Sequence, residues 1–282
     1  MSKRNRTKPV RNSVLDVVIV TGGRFDMLFK CLDALAKESE TTSMSVYLVD
    51  NNVPVEEWNQ ASENFASKDD NKFVKFNIHH LKQELGYAEA NNIGARLGSS
   101  PYIMFLNDDV ELQPGAISLV LGTLQAQPTI GIEGIKLLFP PSSTSPVRPA
   151  GRVQHVGMAL NIRGEPTHPL VGWSADHPKA NVSRDVSFVT GACLTIRRKL
   201  FDAVGGFDKV YGMGTFEDCD LCFKVKQMGQ RVFVNVQAVG HHYVGSTAEK
   251  KRVQFPIMQN RMIFQTRWAN SGLMEWTDWQ FL

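Results

Sequence analysis

Three short clusters in this chain hold side chains that can do chemistry. The first is Asn107-Asp108-Asp109, directly after the apolar run Tyr102–Leu106. Adjacent carboxylates at a strand end offer hard oxygen ligands for Mg2+ or Mn2+, ions that bridge to phosphate oxygens. Aspartates in a loop equally form turns or cap the following helix. The second cluster, Glu217-Asp218-Cys219-Asp220, opens a helical pattern, with Gly212 and Gly214 just before it. Acids in that position complement the helix dipole. One of them can also serve as a general base, because a carboxylate beside a metal-bound diphosphate can accept a hydroxyl proton. On a helix Asp220 points about 200° away from Asp218. Separate roles are therefore expected for the two, with Leu221, Val225 and Met228 facing the core. The third cluster is His241-His242, after a strand pattern and before Gly245-Ser246-Thr247. A histidine is most often a satisfied structural group, yet imidazole together with carboxylate suits Mn2+.

Other polar motifs carry less. Cys219 and Cys222 form a Cys-x-x-Cys without the second pair that a zinc site needs; at helical spacing they read as a half-buried face. His79-His80 ends a strand pattern without nearby acids or a glycine-rich loop and reads as structural. Asn181-Val182-Ser183 matches a glycosylation acceptor, which has no bearing on a chain expected in the cytoplasm. No Gly-x-Gly-x-x-Gly follows the first strand and no Gly-Lys-Ser/Thr loop exists, which disfavours a Rossmann dehydrogenase and a P-loop nucleotidase. Gly-x-Ser-x-Gly is missing too, against an ordinary serine hydrolase.

The elements that position these clusters follow from periodicity. Val14–Val20 predicts a buried strand ended by Gly22-Gly23, and Phe25–Lys37 a helix with Leu28, Leu32 and Leu35 on one face. Strands are expected at Val46–Val49, Phe73–Ile78 and Tyr102–Leu106, and helices at Glu56–Ala66, Ala88–Leu97 and from Pro114 to about Gln127. Such alternation implies an α/β class with a mostly parallel sheet covered by helices on both faces. Sheets of this kind bind ligands at the carboxyl ends of their strands. The polar clusters Thr21–Arg24, Asp50–Asn52 and Asn107–Asp109 all fall there. Beyond Leu138 the pattern loosens: 140–146 is a Pro/Ser loop and 151–177 is rich in Gly, Pro and His. Strand character returns over Val186–Ile196 and Arg231–Val236, with a helix over Glu217–Met228. No repeat or linker separates independent units.

Composition bounds the rest. With 43% hydrophobic and 21% charged residues in 282, the chain resembles ordinary globular proteins rather than disordered or fibrous ones. No apolar run approaches the ~20 residues of a membrane-spanning helix, and the basic N-terminus lacks the apolar stretch of a secretory signal. Four cysteines do not make a disulfide framework, so a soluble protein of the reducing cytoplasm is expected. The net charge of +3 is concentrated in Lys3, Arg4, Arg6, Lys8 and Arg11. A nearly neutral body with a short basic tail does not suit a nucleic-acid partner, which calls for a broad basic face. The tail reads as a solvated end or a contact for anionic lipid or an acidic partner.

Taken in order, the motifs resemble family 2 glycosyltransferases. Val17–Thr21 resembles their opening strand, and Leu48-Val49-Asp50-Asn51 their second strand end. Glu84-Leu85-Gly86-Tyr87-Ala88 with Ala90-Asn91-Asn92-Ile93-Gly94 is similar to their Asn-Leu-Gly-Phe segment and Asn-x-Gly helix. Phe105-Leu106-Asn107-Asp108-Asp109 resembles their DXD-type metal signature. Val153-Gln154-His155-Val156-Gly157 and Val189–Leu194 resemble segments of the branch with rhamnosyl- and O-antigen transferases. Gly205-Gly206-Phe207-Asp208, Glu217–Cys222 and His241-His242 complete a match over about Val14 to Ser246.

The resemblance implies a GT-A fold, a Rossmann-like, mostly parallel sheet flanked by helices with an irregular acceptor-side second half. It implies an inverting hexosyl transfer, dependent on Mn2+ or Mg2+, from a nucleotide diphosphate-sugar to a hydroxyl of a glycan or lipid-linked glycan, in polysaccharide biosynthesis. By position, Asp50 would contact the nucleotide base and Asp108 its ribose. Asp109 would bind the metal with His242 as second ligand. Asp218 would be the general base, Glu217 would position the acceptor, and Thr190, Gly191 and Ala192 would line the donor-sugar pocket. Thr21, Gly22, Arg24, Asn51, Gly86, Asn91 and Asn107 complete the nucleotide-sugar set. Two segments depart from the family's pattern. Gly22-Gly23 replaces an aromatic-Asn pair, and Asn51-Asn52-Val53 follows Asp50 where Gly-Ser is common; UDP and dTDP donors are expected. The alternatives are a noncatalytic sugar-nucleotide-binding subunit and a sugar-nucleotide phosphohydrolase or nucleotidylyltransferase using the same acids.

Three regions are expected: a disordered tail over 1–13, the transferase domain over 14–254, and an aromatic-rich segment over 255–282. In the last, Ile257, Phe264 and Trp268 suggest one helical stripe. It would pack on the domain or, with Trp276, Trp279 and Phe281, sit peripherally at the inner face of a membrane.

Overall fold

The computed structural model describes residues 12–66, 72–244 and 254–275. Four strands, β1 (Leu15–Thr21), β2 (Met44–Asp50), β3 (Lys75–His80) and β4 (Tyr102–Asn107), alternate with helices α1 (Phe25–Glu38), α2 (Val55–Ala66) and α3 (Tyr87–Arg96). All four strands run parallel, in the order β3-β2-β1-β4. The unbroken apolar run of β1 has a simple cause. Leu15, Val17 and Ile19 enter one core and Val18 the other, so helices cover both faces. Asp16 interrupts that run without penalty because it is fully paired. Arg198 Nη2 lies 2.7 Å from its Oδ2, and the Ser100 amide and hydroxyl donate to its two oxygens. α3 packs so closely that a Cβ on Gly94 would meet Val18 Cγ1 at 2.4 Å.

Beyond β4 come β5 (Val110–Leu112), α4 (Ala116–Ala126), β6 (Ile130–Leu138), β7 (Val153–His155), the β8 (Ala159–Leu160) and β9 (Pro166–Thr167) hairpin, and β10 (Arg184–Asp185). There follow β11 (Cys193–Arg197), α5 (Arg198–Ala203), α6 (Glu217–Gln227), β12 (Arg231–His242) and α7 (Ile257–Trp268). The sheet continues β4-β11-β6-β12-β10, with β5 on β12 and β7 on β6. β11 is antiparallel to both of its neighbours, whereas β12 is parallel to β6. The sheet is therefore mixed, and the mostly parallel expectation describes only its first half.

Several elements differ from their sequence patterns. β6 is a nine-residue strand buried throughout that the apolar pattern does not announce. Gly131, Glu133, Gly134 and Lys136 interrupt the run, and each has a tertiary reason. A Cβ on Gly131 or Gly134 would press into Leu200 or Val189 at 2.6 Å. Lys136 Nζ donates to the Ala175 carbonyl and to Asn181 Oδ1, the side chain of the apparent glycosylation motif. Glu133 accepts from Asn235, and burial pushes its carboxyl up to about 8. The Val186–Ile196 pattern yields a strand only from Cys193. β12 runs to His242, past the expected end at Val236, through a register shift between Asn235 and Val239. Met228 is exposed, not a core residue.

In α7, Asn260, Phe264 and Trp268 are buried at i, i+4, i+8, while Ile257 is exposed, so the stripe is one turn displaced from its expected start. Phe264 stacks on Phe223 of α6 with ring centroids 5.4 Å apart. Among the described residues, no helix is long and apolar enough to cross a membrane. The basic residues through Arg11, the Gly245-Ser246-Thr247 loop, and Trp276, Trp279 and Phe281 lie outside the described residues.

Candidate active site

A cavity of about 410 Å³ opens at the carboxyl ends of β1 and β4. Twelve of the residues singled out in the sequence line it: Gly22, Asn51, Asn91, Asn107, Asp108, Asp109, Thr190, Gly191, Ala192, Glu217, Asp218 and His242. They come from the turns after β1 and β2, from α3, from β4 and the turn after it, from the segment leading into β11, from the start of α6 and from the end of β12. No local stretch of chain could assemble them.

The turn between β4 and β5 supplies Asp108 and Asp109, both buried. Burial and the neighbouring Asp109 charge push the Asp108 carboxyl up to about 7, against the Thr21 hydroxyl and Gly22 amide, which favour its ionised form. Asp108 Oδ2 is buried without a hydrogen-bond partner. Asp109 Oδ1 lies 3.1 Å from His242 Nε2, and the Asp109 carbonyl accepts the Tyr243 amide. Gln154, on β7, touches His242 twice, at its ring and at its carbonyl.

The second pair of acids is presented differently. Thr215 and Phe216 hold φ of 79° and 73°, a left-handed backbone that costs non-glycine residues energy. That turn starts α6 with Glu217 and Asp218 aimed into the cavity. Asn260 of α7 clamps it, donating from Nδ2 to the carbonyls of Tyr211 and Gly214 at 2.8 Å. Asp218 Oδ2 accepts the Gly191 amide at 2.9 Å and Oδ1 the Cys219 amide at 2.8 Å. Glu217 is buried with Oε2 unpartnered; burial first, then the Asp218 charge, push its carboxyl up to about 8. Tyr87 donates from its hydroxyl to the Gly191 carbonyl at 2.6 Å, in space that a Cβ on Gly191 would invade. Asp220 points away, as its helical angle requires. It is fully buried against Tyr211, Trp268, Lys224 and Arg267. Cys219 and Cys222 are completely buried free thiols rather than a half-buried face.

Four residues of the expected set do not line the cavity. Thr21 is buried behind Asp108. Arg24 pairs with Asp26 at 3.1 Å, within the field of Asp108 and Asp109. Gly86 starts α3, where a Cβ would collide with the Gly212 carbonyl at 1.8 Å, so its role is to admit the loop ahead of α6. Asp50 is buried at the end of β2, accepting the Val53 amide at 2.8 Å, with His80 Nδ1 2.7 Å from Oδ2. The reading of His80 as remote from acids is thus corrected: β2 and β3 pair in register at Asp50 and His80. Asn51 lines the cavity while exchanging two hydrogen bonds with the Leu85 backbone. Sequence reasoning gave no role to Gln154, Tyr87, His80 or Asn260. For Gln154 and Tyr87, position inside a motif was the available signal.

The cavity thus joins five acidic residues, Glu84 among them, with one imidazole and several backbone amides. Among the described residues, no group of three or more His, Cys, Asp or Glu side chains is arranged to hold a metal alone. Asp109 and His242 nevertheless fit a hard divalent ion. They offer one oxygen and one nitrogen beside the unpartnered Asp108 oxygen, and such ions complete their shell with phosphate oxygens and water.

The sequence model of the family described as "Glycosyl transferase family 2" matches residues 16–205. The chain is 28% identical over 244 residues to the O-antigen biosynthesis protein RfbC of Myxococcus xanthus, covering 83% of this chain but only 18% of that protein. It is also 28% identical over 250 residues to N-acetylglucosaminyl-diphospho-decaprenol L-rhamnosyltransferase of Mycobacterium tuberculosis, covering 83% of this chain and 78% of that one. In structure it resembles GalNAc-T7, solved with UDP, GalNAc and Mn2+, at a TM-score of 0.71 and 15% identity, over 92% of this chain and 48% of that one. That likeness shows the fold, which is of the GT-A type.

Proposed function

We propose a function from one premise: the chain belongs to glycosyl transferase family 2. It moves a sugar from a nucleotide diphosphate-sugar, UDP- or dTDP-linked, to a hydroxyl of a glycan or lipid-linked glycan, with inversion at the anomeric carbon. The observation that carries this reading is the pairing of acids in one cavity, Asp108-Asp109 at the sheet edge and Glu217-Asp218 at the start of α6. The printed names of the relatives, one of them a transferase to a diphospho-lipid, support the acceptor class.

The donor lies along the carboxyl ends of β1, β2 and β4, with Asn51 toward the base, Asp50 supporting the turn that carries it through the Val53 amide, and Asp108 toward the ribose. Asp109 and His242 hold Mn2+ or Mg2+, which when bound supplies charge stabilisation to the diphosphate leaving group. Thr190, Gly191 and Ala192 flank the donor sugar. Asp218 is the general base. Its two backbone hydrogen bonds fix the carboxylate in place, and each oxygen keeps a lone pair for the acceptor proton. Glu217, whose carboxyl burial and the Asp218 charge push up to about 8, can in its protonated form donate to an acceptor oxygen. Keeping Glu217 neutral avoids a second negative charge beside the base. The base and the leaving group on opposite faces of the sugar give in-line attack, as in inverting hydrolysis with a sugar hydroxyl replacing water.

The direct test is nucleoside diphosphate release from a panel of UDP-, dTDP- and GDP-sugars with Mn2+, by the wild-type protein and by Asp109→Ala. Release from one donor class, lost in the variant, is the expected result. Silence across the panel without donor-dependent thermal stabilisation would overturn the reading. Stabilisation without release, in the presence of candidate acceptors, would favour the binding-subunit alternative.

A further inference from the structure

Gln154 lies outside the cavity lining, yet its contacts decide what His242 can do. The Gln154 amide is 3.0 Å from the His242 carbonyl at Nε2 and 2.7 Å from His242 Nδ1 at Oε1. A carbonyl oxygen only accepts, so the atom facing it must be the amide NH2. That fixes the other atom, Oε1, as an acceptor aimed at the ring. His242 Nδ1 must therefore carry a hydrogen. In the neutral ring Nε2 is then the lone-pair nitrogen, and it faces Asp109 Oδ1 at 3.1 Å. Two acceptors at that distance repel each other unless a proton or a metal cation is shared between them.

We propose that Gln154 is the positioning residue that locks His242 into the Nδ1–H tautomer and so makes the Asp109–His242 pair a divalent-cation site. The inference rests on the metal role given to that pair above. It adds the cause: one side chain grips both the ring and the main chain of His242. The ring cannot flip without breaking the 2.7 Å bond, and β12 cannot shift its end without breaking the 3.0 Å bond. Partners of this kind on the far nitrogen of a ligating histidine typically govern metal affinity by 10–100-fold. The strand period explains why Gln154 is suited to this. It is only partly buried, whereas its neighbours Val153 and His155 on β7 are buried and point to the other face.

The test uses the full chain with Gln154→Met, which keeps length and removes both hydrogen bonds, and Gln154→Glu, which keeps an acceptor for Nδ1–H but loses the donor. Mn2+ affinity is measured by electron paramagnetic resonance with UDP or dTDP present. The His242 tautomer is read from its ring 15N shifts in metal-free protein, and the melting temperature serves as a folding control. The expected result is an Nδ1–H tautomer in the wild type and Mn2+ binding weakened about 10–100-fold in Gln154→Met. Gln154→Glu should keep the tautomer and fall between the two. Melting temperatures and metal-free nucleotide affinity should stay close to wild type. A wild-type Nε2–H tautomer, or unchanged Mn2+ affinity in Gln154→Met with a wild-type melting temperature, would overturn the inference alone. Wild-type protein that binds no Mn2+ with either nucleotide would overturn the metal reading beneath it as well. If Gln154→Met melts early, the wild-type 15N shifts still decide the tautomer.

Discussion

The two acid pairs reach one cavity by different means. Asp108 and Asp109 extend β4, a strand set between β1 and β11 whose residues 103–106 are buried. Their position is a by-product of the sheet itself. Glu217 and Asp218 instead hang from a turn with two consecutive non-glycine residues in left-handed conformation, held by an asparagine on α7. One site is supported by the core that any chain of this fold must build; the other stores strain that a distant helix offsets. Substitutions in α7 should therefore disturb the acceptor end and leave the donor end as it is.

The sharpest test of that contrast is at the proposed base. Asp218→Asn should lower the transfer rate by about 10²–10⁴-fold, with the affinity for donor and Mn2+ unchanged; single-turnover kinetics and calorimetry separate the two. Asp109→Ala should act at the other end. A loss of about 10²–10³-fold is expected together with loss of Mn2+ binding, while metal-free nucleotide binding remains. If both variants lost the same property, the division of the cavity into two ends would fail.

Asn260→Ala probes the distant support. It leaves buried carbonyls of the strained turn unpaired, at a cost of about 1–3 kcal/mol in denaturant unfolding. Transfer should weaken while Mn2+ affinity stays at the wild-type value. Transfer activity equal to wild type would break the comparison.

A further effect, on stability rather than on transfer, is in pH dependence. The Glu217 carboxyl is raised to about 8 in the folded protein, above its ordinary value of 4.5, so the folded state holds that proton more tightly than the unfolded state. Its contribution is fully present below about pH 4.5 and is lost as pH rises toward 8. Glu133, raised for the same reason, acts in the same direction from the core. In metal-free protein Glu217→Gln should therefore lose less stability than wild type between pH 5 and 8, by melting temperature. An identical pH slope in the two proteins would show that Glu217 titrates normally.

Much of the first half was legible without coordinates because its signals are local. β1, β2 and β4 each have an apolar run closed by a polar cluster, and α1 has leucines on one face. The second half hid its strands for a physical reason. β6 is interrupted by glycines that admit side chains from other elements and by Glu133 and Lys136, whose partners are remote in sequence. The end of β12 lies past a register shift, so alternation stops predicting it at Val236. His80 looked isolated from acids because its partner Asp50 is a neighbour across a strand pair, not along the chain.

The residue types and the strand-end clusters alone determined the class of fold, the family resemblance and which acids deserved a role, since periodicity and motif order are written residue by residue. Only the tertiary structure decided that Asp50 and Gly86 do not line the cavity and that Gly191 holds Asp218. The same is true of Gln154, which grips His242 beside Asp109. Those contacts depend on β11 entering antiparallel between β4 and β6 and on β7 and β12 both pairing with β6. Chain closure over such separations is fixed by the packing of the whole core, and no local pattern encodes it.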